Sequence, residues 1–380
     1  MLPPARLTRI PVLKSMQVVT EKASLGGRSK KAGGITTKQS AIFRDTVMAS
    51  RDFYRMEVRA MRKVFISGGA GFIGSHLTRR LLASPEMAKV IIYDNFSSGT
   101  RGHLQEIVGD PRLQIVEGDL KDLGKLTTAM TGCGTVFHLA ANPDIAKAVT
   151  HPDIDFWEGT YLAQNVLEAV RVNGVGRLLY TSGSGVYGEH ADVAFSESFG
   201  PCLPISTYGA SKLACEALIG AYCHMFGLTA RAFRFANVVG PRQTHGVGYD
   251  FVRRLRQDPT RLRILGDGSQ SKSYIHVEDI LNAMFLANER CPVAYDVFNV
   301  ATDDYITVRE IADLAAEVTG LPAGNVRYEY TGGDRGWKGD VPVVRFDCRK
   351  IKSLGWSCQR SSATAVRDAM IAMRGEIAHG

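Results

Sequence analysis

The sequence predicts an α/β fold, in which a doubly wound parallel sheet is followed by a smaller mixed α/β lobe. Residues 64–67 form a short apolar run typical of a buried parallel strand, and a glycine-rich turn and a helical pattern follow directly. Further apolar runs at 90–93, 113–116 and 136–139 extend the same pattern. The 380 residues exceed what one compact core usually holds, so two lobes sharing one site are expected.

The first 61 residues are predicted to be a basic extension without a packed core, because they show no strong apolar period. Residues 1–60 hold 12 Lys and Arg against 4 Asp and Glu, whereas the rest of the chain balances at 34 of each sign. This neutral body argues against nucleic-acid binding. The stretch lacks a signal-peptide core, and its basic composition is similar to that of a transit peptide. The alternatives are a misassigned start upstream of Met61 or a dispensable extension.

Composition also bears on membranes, metals and compartment. No run approaches the ~18–20 apolar residues of a membrane span, so no membrane association is expected. The seven cysteines form no CxxC pair and are odd in number, which argues against a disulfide framework and against a zinc site. We therefore expect free thiols in a reducing cytoplasm and no metal.

The glycine-rich turn at 68–74, GGAGFIG, has the strand–turn–helix context of a dinucleotide fingerprint. Gly68 permits the tight turn, Gly71 lets the backbone approach a pyrophosphate, and Gly74 lets the helix pack close to the strand. The pyrophosphate is expected at the helix N-terminus, where unpaired N–H groups and the helix dipole favour anions. The sheet is therefore predicted to be of the Rossmann type.

The second strand ends in Asp94, which lies 20 residues beyond Gly74. This is the separation expected of a carboxylate that binds the adenosine ribose, and it predicts NAD rather than NADP because a carboxylate repels a 2′-phosphate. The alternative is a strand-end Asp that caps the turn before Asn95. His138 is interpreted as a packed strand residue. The expected cofactor-binding residues are Gly68, Gly71, Phe72, Ile73, Gly74, Asp94, Asn95, Ser98, Gly99, Asp119, Leu120, Leu139, Ala140, Ala141, Thr181, Tyr208 and Lys212.

The candidate catalytic pair is Tyr208 and Lys212 in YGASK, spaced four residues apart and so on one face of a helix. A phenol is a poor base at neutral pH, and a nearby ammonium favours its ionised form. The phenolate can take a proton from a sugar hydroxyl while hydride moves to the nicotinamide ring. Lys212 is also placed to hold the nicotinamide ribose.

Together these motifs resemble the extended short-chain dehydrogenase/reductase family, and within it the UDP-glucose (UDP-galactose) 4-epimerases. The resemblance spans residues 62–375 and includes HLAA at 138–141, VYG at 186–188 and GDGSQSKSYIHVEDI at 266–280. It implies an NAD-binding Rossmann-type domain over 62–235, to which the chain returns later, and a C-terminal lobe over 236–380 that mainly binds the nucleotide sugar. It implies an NAD-dependent 4-epimerase of UDP-glucose, UDP-galactose or related UDP-sugars that acts through a 4-keto intermediate.

The resemblance also implies a substrate site in the C-terminal lobe. Asn237 is expected near the substrate phosphates. Lys272 stands where relatives more often have Arg, and a lysine lacks the bidentate fork of a guanidinium. Many relatives have an Arg at the position of Trp337, so Arg335 or Lys338 is expected to take over the phosphate contact.

Three further positions carry open alternatives. Tyr249 and Phe251 are candidates to line the base or sugar pocket, or are ordinary helix-start packing. Val344 stands where related epimerases have a bulky Tyr, and a smaller side chain there would admit N-acetyl sugars or uronic acids. Val344 is equally consistent with plain strand core.

The sequence departs from the family pattern at Gly183, four residues before Tyr187. Relatives usually have a Ser or Thr at this position. We expect Ser184 to supply the missing hydroxyl, with Ser182 as a neighbouring substrate contact. The alternatives are a bridging water or a changed chemistry. Related dehydratases and decarboxylases carry carboxylates just before Val-Tyr-Gly, where this chain has Ser184 and Gly185, so epimerisation is favoured.

Several functional alternatives stay open. One is a 4-epimerase of UDP-glucuronate or UDP-N-acetylhexosamines, or another oxidoreductase of nucleotide sugars. Another is a non-catalytic NAD-binding relative, which Gly183 and the basic extension would support. The family usually forms homodimers by pairing two helices per subunit, here expected at 162–172 and 211–226. The apolar stripe on the second helix fits either an interface or the core, and comprises Leu213, Ala217, Leu218 and Ala221.

Overall fold

The computed structural model describes residues 62–190, 193–322 and 324–378, so the predicted basic extension lies outside the described residues. The strands are β1 (Lys63–Ser67), β2 (Lys89–Asp94), β3 (Leu113–Glu117), β4 (Thr135–His138), β5 (Arg177–Gly183), β6 (Ala194–Phe195), β7 (Thr229–Phe235), β8 (Asn237–Val239), β9 (Arg261–Ile264), β10 (Ser271–Lys272), β11 (Tyr274–His276), β12 (Tyr295–Val300), β13 (Ile306–Thr307), β14 (Arg327–Tyr330) and β15 (Arg345–Phe346). The α-helices are α1 (Phe72–Leu82), α2 (Leu123–Ala129), α3 (Tyr161–Val172), α4 (Thr207–Phe226), α5 (Val247–Gln257), α6 (Val277–Arg290), α7 (Val308–Thr319), α8 (Arg349–Ser353) and α9 (Ser362–Ala378).

Seven strands form one parallel sheet in the order β12-β7-β5-β4-β1-β2-β3. The chain builds outward from β1 through β2 to β3, and then crosses to the other side of β1 with β4. This reversal creates a crevice beyond the carboxyl ends of β1 and β4, which is where open α/β sheets bind ligands. The predicted doubly wound parallel sheet is confirmed.

Helices cover both faces of the sheet, which explains why its strands are nearly continuous apolar runs. Val64 and Ile66 of β1 point to the face covered by α1 and α6, whereas the intervening Phe65 packs with α3 and α4 on the other. Both α6 and β12 follow residue 235 in the chain, yet α6 packs on the sheet and β12 extends it beyond β7. The chain therefore returns to the first domain after entering the second.

The C-terminal lobe has its own core between α5, α7 and α9. Helix α7 begins with a capping box, in which the Thr307 hydroxyl accepts the Glu310 N–H and the Glu310 carboxylate accepts the Thr307 N–H. No helix in the part of the chain that the structure describes is long and apolar enough to cross a membrane.

Helix α4 is the element that positions the catalytic candidates. Its N-cap is Ser206, whose hydroxyl accepts the Gly209 N–H at 3.1 Å, and its C-cap is Gly227, which has a left-handed φ of 73°. The cap fixes the first turn, which contains Tyr208. The buried face of α4 follows a helical spacing and comprises Ser211, Lys212, Cys215, Glu216, Ile219 and Cys223.

Candidate active site

The glycine-rich turn between β1 and α1 is a close-packed backbone loop that only glycine permits. Gly68 has a φ of +74°, and a Cβ there would lie 2.8 Å from the Ala140 backbone nitrogen. A Cβ on Gly74 would lie 2.2 Å from the Gly68 carbonyl oxygen. The loop is thus pressed against the residues that follow β4 on one side and against the start of α1 on the other.

The same loop fits a dinucleotide pyrophosphate. Gly71 is the N-cap of α1, and no side chain among the described residues caps this helix. The first-turn amides, which include Phe72 and Ile73, are therefore available to an anion at the positive end of the helix dipole. A Cβ on Gly71 would meet only the Gly68 carbonyl, at 3.2 Å, so the outer side of the loop is open.

Asp94 ends β2 and lies directly beneath the loop, with 7% of its surface exposed. One carboxylate oxygen accepts the Ala70 N–H at 2.9 Å and the other accepts the Phe96 N–H at 2.9 Å. Asp94 therefore holds the loop, and each of its carboxylate oxygens keeps a lone pair that could accept a further hydrogen bond. The sequence pattern predicts a carboxylate here, whereas its bond to the Ala70 N–H depends on the folded loop.

The other cofactor-binding candidates lie near Asp94 or at the ends of neighbouring strands. Asn95 donates from its amide to Asp119 at 3.3 Å, and a Cβ on Gly99 would come within 3.0 Å of an Asp94 oxygen. The Leu120 carbonyl accepts from the Asn165 amide at 2.9 Å, so it is fixed to α3. The structure places the other candidates at the carboxyl ends of β2, β4 and β5, and these are Ser98, Leu139, Ala141 and Thr181.

Tyr208 and Lys212 lie in the first turns of α4, beside the carboxyl end of β5. Lys212 is buried, and its ammonium donates to the Thr181 carbonyl at 2.8 Å. The Nζ atom lies 5.4 Å from the centre of the Tyr208 ring and 5.0 Å from that of Tyr180. The lysine is thus anchored to the end of β5 with its ammonium close to the Tyr208 ring.

His138 at the end of β4 is a structural neighbour of this pair. Its Nδ1 and the Ser67 hydroxyl hydrogen bond at 2.7 Å, and its ring packs against Tyr180. Burial, assisted by the charge of Lys212, lowers the pKa of His138 to about 3. The ring is therefore neutral at physiological pH, which agrees with the interpretation of a packed strand residue.

Gly183, at the end of β5, has open space beside it and leads into a turn packed against α4. Gly183 has an extended backbone with φ −160°, and a Cβ there would meet nothing within 4 Å in the described structure. Ser184 follows, half-buried, in a short 3-10 helix over Ser184–Val186. A Cβ on Gly209 would lie 2.3 Å from the Gly185 carbonyl oxygen, so this turn is pressed against the helix that carries Tyr208.

Ser182 points away from this turn. Its hydroxyl donates to the Glu216 carboxylate at 2.6 Å, and Arg234 donates to the same carboxylate at 2.6 Å through Nη2. All three side chains are buried. This placement favours a structural link over the predicted substrate contact, because strand side chains alternate between faces and that of Ser182 falls on the α4 side.

The polar candidates of the C-terminal lobe lie on strands and loops of that lobe. Asn237 begins β8 and is exposed. Lys272 forms an ion pair with Asp340. Arg335 pairs with Asp334 at 2.9 Å and with Glu189, in the loop after Tyr187, at 3.1 Å. A substrate phosphate would therefore have to compete with carboxylates for both cations.

Two apolar candidates are core residues. Phe251 is 4% exposed and packs in the core of the C-terminal lobe, because α5 begins at Val247 and turns this position inward. Val344 is 6% exposed and packs with Tyr187 and Phe195 in a small core beneath the Val-Tyr-Gly turn. For both residues the packing alternative is favoured. Tyr249 is half-buried against the lobe core.

Residues 64–301 match the model of the NAD dependent epimerase/dehydratase family. The chain belongs to this family. A UDP-glucose 4-epimerase from Corynebacterium glutamicum is 29% identical over 323 residues, which cover 81% of this chain and 94% of that protein. A dTDP-glucose 4,6-dehydratase from an Actinoplanes species is 30% identical over 74% of this chain and 90% of its own length. A solved UDP-galactose 4-epimerase structure is 36% identical, covers 83% of this chain and 99% of its own, and superposes with a TM-score of 0.72.

Membership of the epimerase/dehydratase family establishes NAD as the cofactor and a sugar-nucleotide epimerase or dehydratase as the type of enzyme. The relatives differ in the reaction they catalyse, so membership alone does not select one. The choice depends on the residues beside Tyr208. The buried pair Glu216 and Arg234 was missed because its members lie on separate elements and only the tertiary fold brings them together.

Proposed function

We propose that this protein is an NAD-dependent 4-epimerase of UDP-sugars, with UDP-glucose and UDP-galactose as the leading substrate pair. One observation carries the proposal: the turn pressed against Gly209, the residue next to Tyr208, offers Ser184 and Gly185. Elimination of water needs a separate acid and base at the sugar, and this turn holds no carboxylate. Epimerisation needs only reversible oxidation at C4 and rotation of the ketose.

The chain's own groups have distinct roles in this proposal. Tyr208 takes the proton of the sugar C4 hydroxyl and returns it to the C4 oxygen after the ketose has rotated, while Lys212 stabilises the phenolate from within the same helix turn. Ser184 donates a hydrogen bond to the sugar oxygen in place of the side chain missing at Gly183. NAD, when bound, accepts the C4 hydride and gives it back.

The substrate site is proposed for the side of the crevice that faces the C-terminal lobe. Asn237, Lys272 and Arg335 supply the polar and cationic groups that a diphosphate needs. Lys272 and Arg335 are already paired with carboxylates, so binding exchanges one anionic partner for another. The open space at Gly183 favours a related UDP-sugar with a bulkier substituent, such as an N-acetyl or carboxylate group, as the second candidate substrate.

A panel of three substrates tests this proposal. The purified protein is incubated with UDP-galactose, UDP-N-acetylgalactosamine and UDP-glucuronate, and the C4 epimers are separated by chromatography. Conversion of at least one of them to its epimer is expected, and a Tyr208→Phe variant serves as the inactive control. NAD binding without conversion of any would favour the non-catalytic alternative.

We also propose a homodimer built from α3 and α4. Ala217 and Ala221 of the predicted stripe are exposed, and Leu213 and Leu218 are half-buried, so α4 presents small and apolar side chains to solvent. Light scattering should give twice the 41.4 kDa chain mass, and Ala217→Glu should shift it to one chain mass. A wild-type monomer would contradict the proposal.

A further inference from the structure

A buried ion pair lies directly behind the candidate catalytic residues. Glu216 and Arg234 are 4% and 5% exposed. The guanidinium forms a fork on the carboxylate, with 2.6 Å from Nη2 to Oε2 and 3.0 Å from Nε to Oε1. Removing two charges from water is unfavourable, and such pairs contribute little net stability compared with apolar packing. A role other than stability is therefore indicated.

The ion pair contacts helix α4, the end of β5 and the Val-Tyr-Gly turn. Glu216 lies one helical turn beyond Lys212 on α4, and its carboxylate accepts the Ser182 hydroxyl next to Gly183. The guanidinium of Arg234 lies 4.7 Å from the centre of the Tyr187 ring, in the Val-Tyr-Gly turn. Helix α4, the end of β5 and the turn are thus joined through this one ion pair.

We propose that Glu216 and Arg234 are a positioning pair for Tyr208, a role that rests on the proposed function of Tyr208 as the base. The pair holds α4 against the end of β5 and cancels charge in the interior, so that Lys212 is the cation that acts on the phenol. Glu216 touches neither substrate nor cofactor in this account and acts through the placement and ionisation of Tyr208.

Neutralising one member of the pair should move the titration midpoint of Tyr208 in a direction set by the charge that remains. Eight residues of helix separate Tyr208 from Glu216, which is about 12 Å at the usual rise. One uncompensated charge at that distance, with an effective dielectric of about 20 to 40, moves a titration midpoint by roughly half to one pH unit. Glu216→Gln leaves the positive charge of Arg234 and should lower the Tyr208 midpoint, whereas Arg234→Gln leaves a negative charge and should raise it.

Other groups near the start of α4 are common to all variants and do not change this sign. The titratable or charged residues on the elements packed against α4, beyond the pair itself, are His138, Lys147, Asp155, Glu158, Tyr161, Glu168, Arg171, Arg177, Tyr180, Tyr187 and Arg231, with Lys212, Cys215, Tyr222, Cys223 and His224 on α4 and Tyr295 on β12.

The test titrates Tyr208 in the NAD-bound protein by carbon-13 NMR of ζ-labelled tyrosine, with the signal assigned by its loss in Tyr208→Phe. Opposite shifts in Glu216→Gln and Arg234→Gln, and a midpoint near that of the wild type in the double variant, are expected. Unchanged midpoints, or shifts of the same sign, would overturn the proposal. A merely structural role would perturb the Tyr208 midpoint in the same way in both single-substitution variants.

One control variant and one fallback comparison keep the test decisive. Glu317→Gln removes the same charge from an exposed pair with Arg367 in the C-terminal lobe and should leave the midpoint unchanged. If Arg234→Gln does not fold, the lower midpoint of Glu216→Gln and its cancellation in the double variant still decide the matter. The titration needs no turnover, so failure to convert any nucleotide sugar would contradict the proposed function alone.

Discussion

Restoring a hydroxyl at Gly183 is the perturbation that most directly probes the unusual turn beside Tyr208. The backbone there is extended with φ −160°, and a Cβ would meet nothing within 4 Å in the described structure. Gly183→Ser should therefore leave the free energy of unfolding within about 0.5 kcal/mol of the wild type. Gly183→Ala fills the same space without a hydroxyl and is the matched control.

The expected kinetic effect follows from one hydrogen bond. If Ser184 donates to the sugar oxygen, Ser184→Ala removes about 1–1.5 kcal/mol of transition-state stabilisation, which is roughly a five- to tenfold loss of turnover. Adding Gly183→Ser to Ser184→Ala should recover most of that loss, because the new hydroxyl extends from the adjacent strand position. Adding Gly183→Ala should recover none.

Steady-state turnover of UDP-galactose by the wild type and these variants is the assay, with thermal unfolding as the check on folding. Full activity of Ser184→Ala would remove that residue from the mechanism. Loss in Ser184→Ala without recovery by Gly183→Ser would refute the inference that the two positions reach the same oxygen.

Three further predictions follow from single contacts. Asp94→Asn should weaken NAD binding at least tenfold and reduce the ratio of NAD affinity to NADP affinity, both measured by calorimetry. An unchanged affinity ratio would contradict the ribose role of Asp94. Ser182→Ala should lower kcat several-fold with KM unchanged, since its hydroxyl binds Glu216, whereas a raised KM with constant kcat would indicate a substrate contact. His138 is neutral when folded because burial lowers its pKa from 6.5 to about 3, so its unfolded form binds a proton more readily. Stability should therefore fall as the pH drops below 6.5, by up to about 1.4 kcal/mol per pH unit, and urea unfolding of His138→Gln should lose that part of the slope, whereas an unchanged slope would contradict the buried neutral ring.

The parts of the site that the sequence predicts are those built from local patterns at strand ends. The turn around Gly68 and Gly74, the strand-end Asp94, and the helical spacing of Tyr208 and Lys212 each depend on a few consecutive residues. Parallel strands bring their carboxyl ends to one edge, so these local features meet without further information. The sheet and the crevice follow from the same patterns.

Side-chain direction is what local patterns do not determine. Ser182 and Ser184 are both serines and are two residues apart. The Ser182 side chain lies on the strand face that packs against Glu216, whereas Ser184 lies in the turn after the strand. Phe251 and Val344 depend on where α5 begins and on how the chain packs beneath Tyr187. Only the packed structure selects between pocket and core at such positions.

The central claim is that Tyr208 serves a reversible oxidation at C4 of a UDP-sugar, and isotope retention tests it most directly. UDP-galactose carrying deuterium at C4 is incubated with the wild-type protein, and the product is examined by mass spectrometry and proton NMR. The proposal predicts UDP-glucose that retains the deuterium at C4, and no product with Tyr208→Phe. Failure to form the epimer, or an epimer that has exchanged its C4 label for solvent hydrogen, would contradict it.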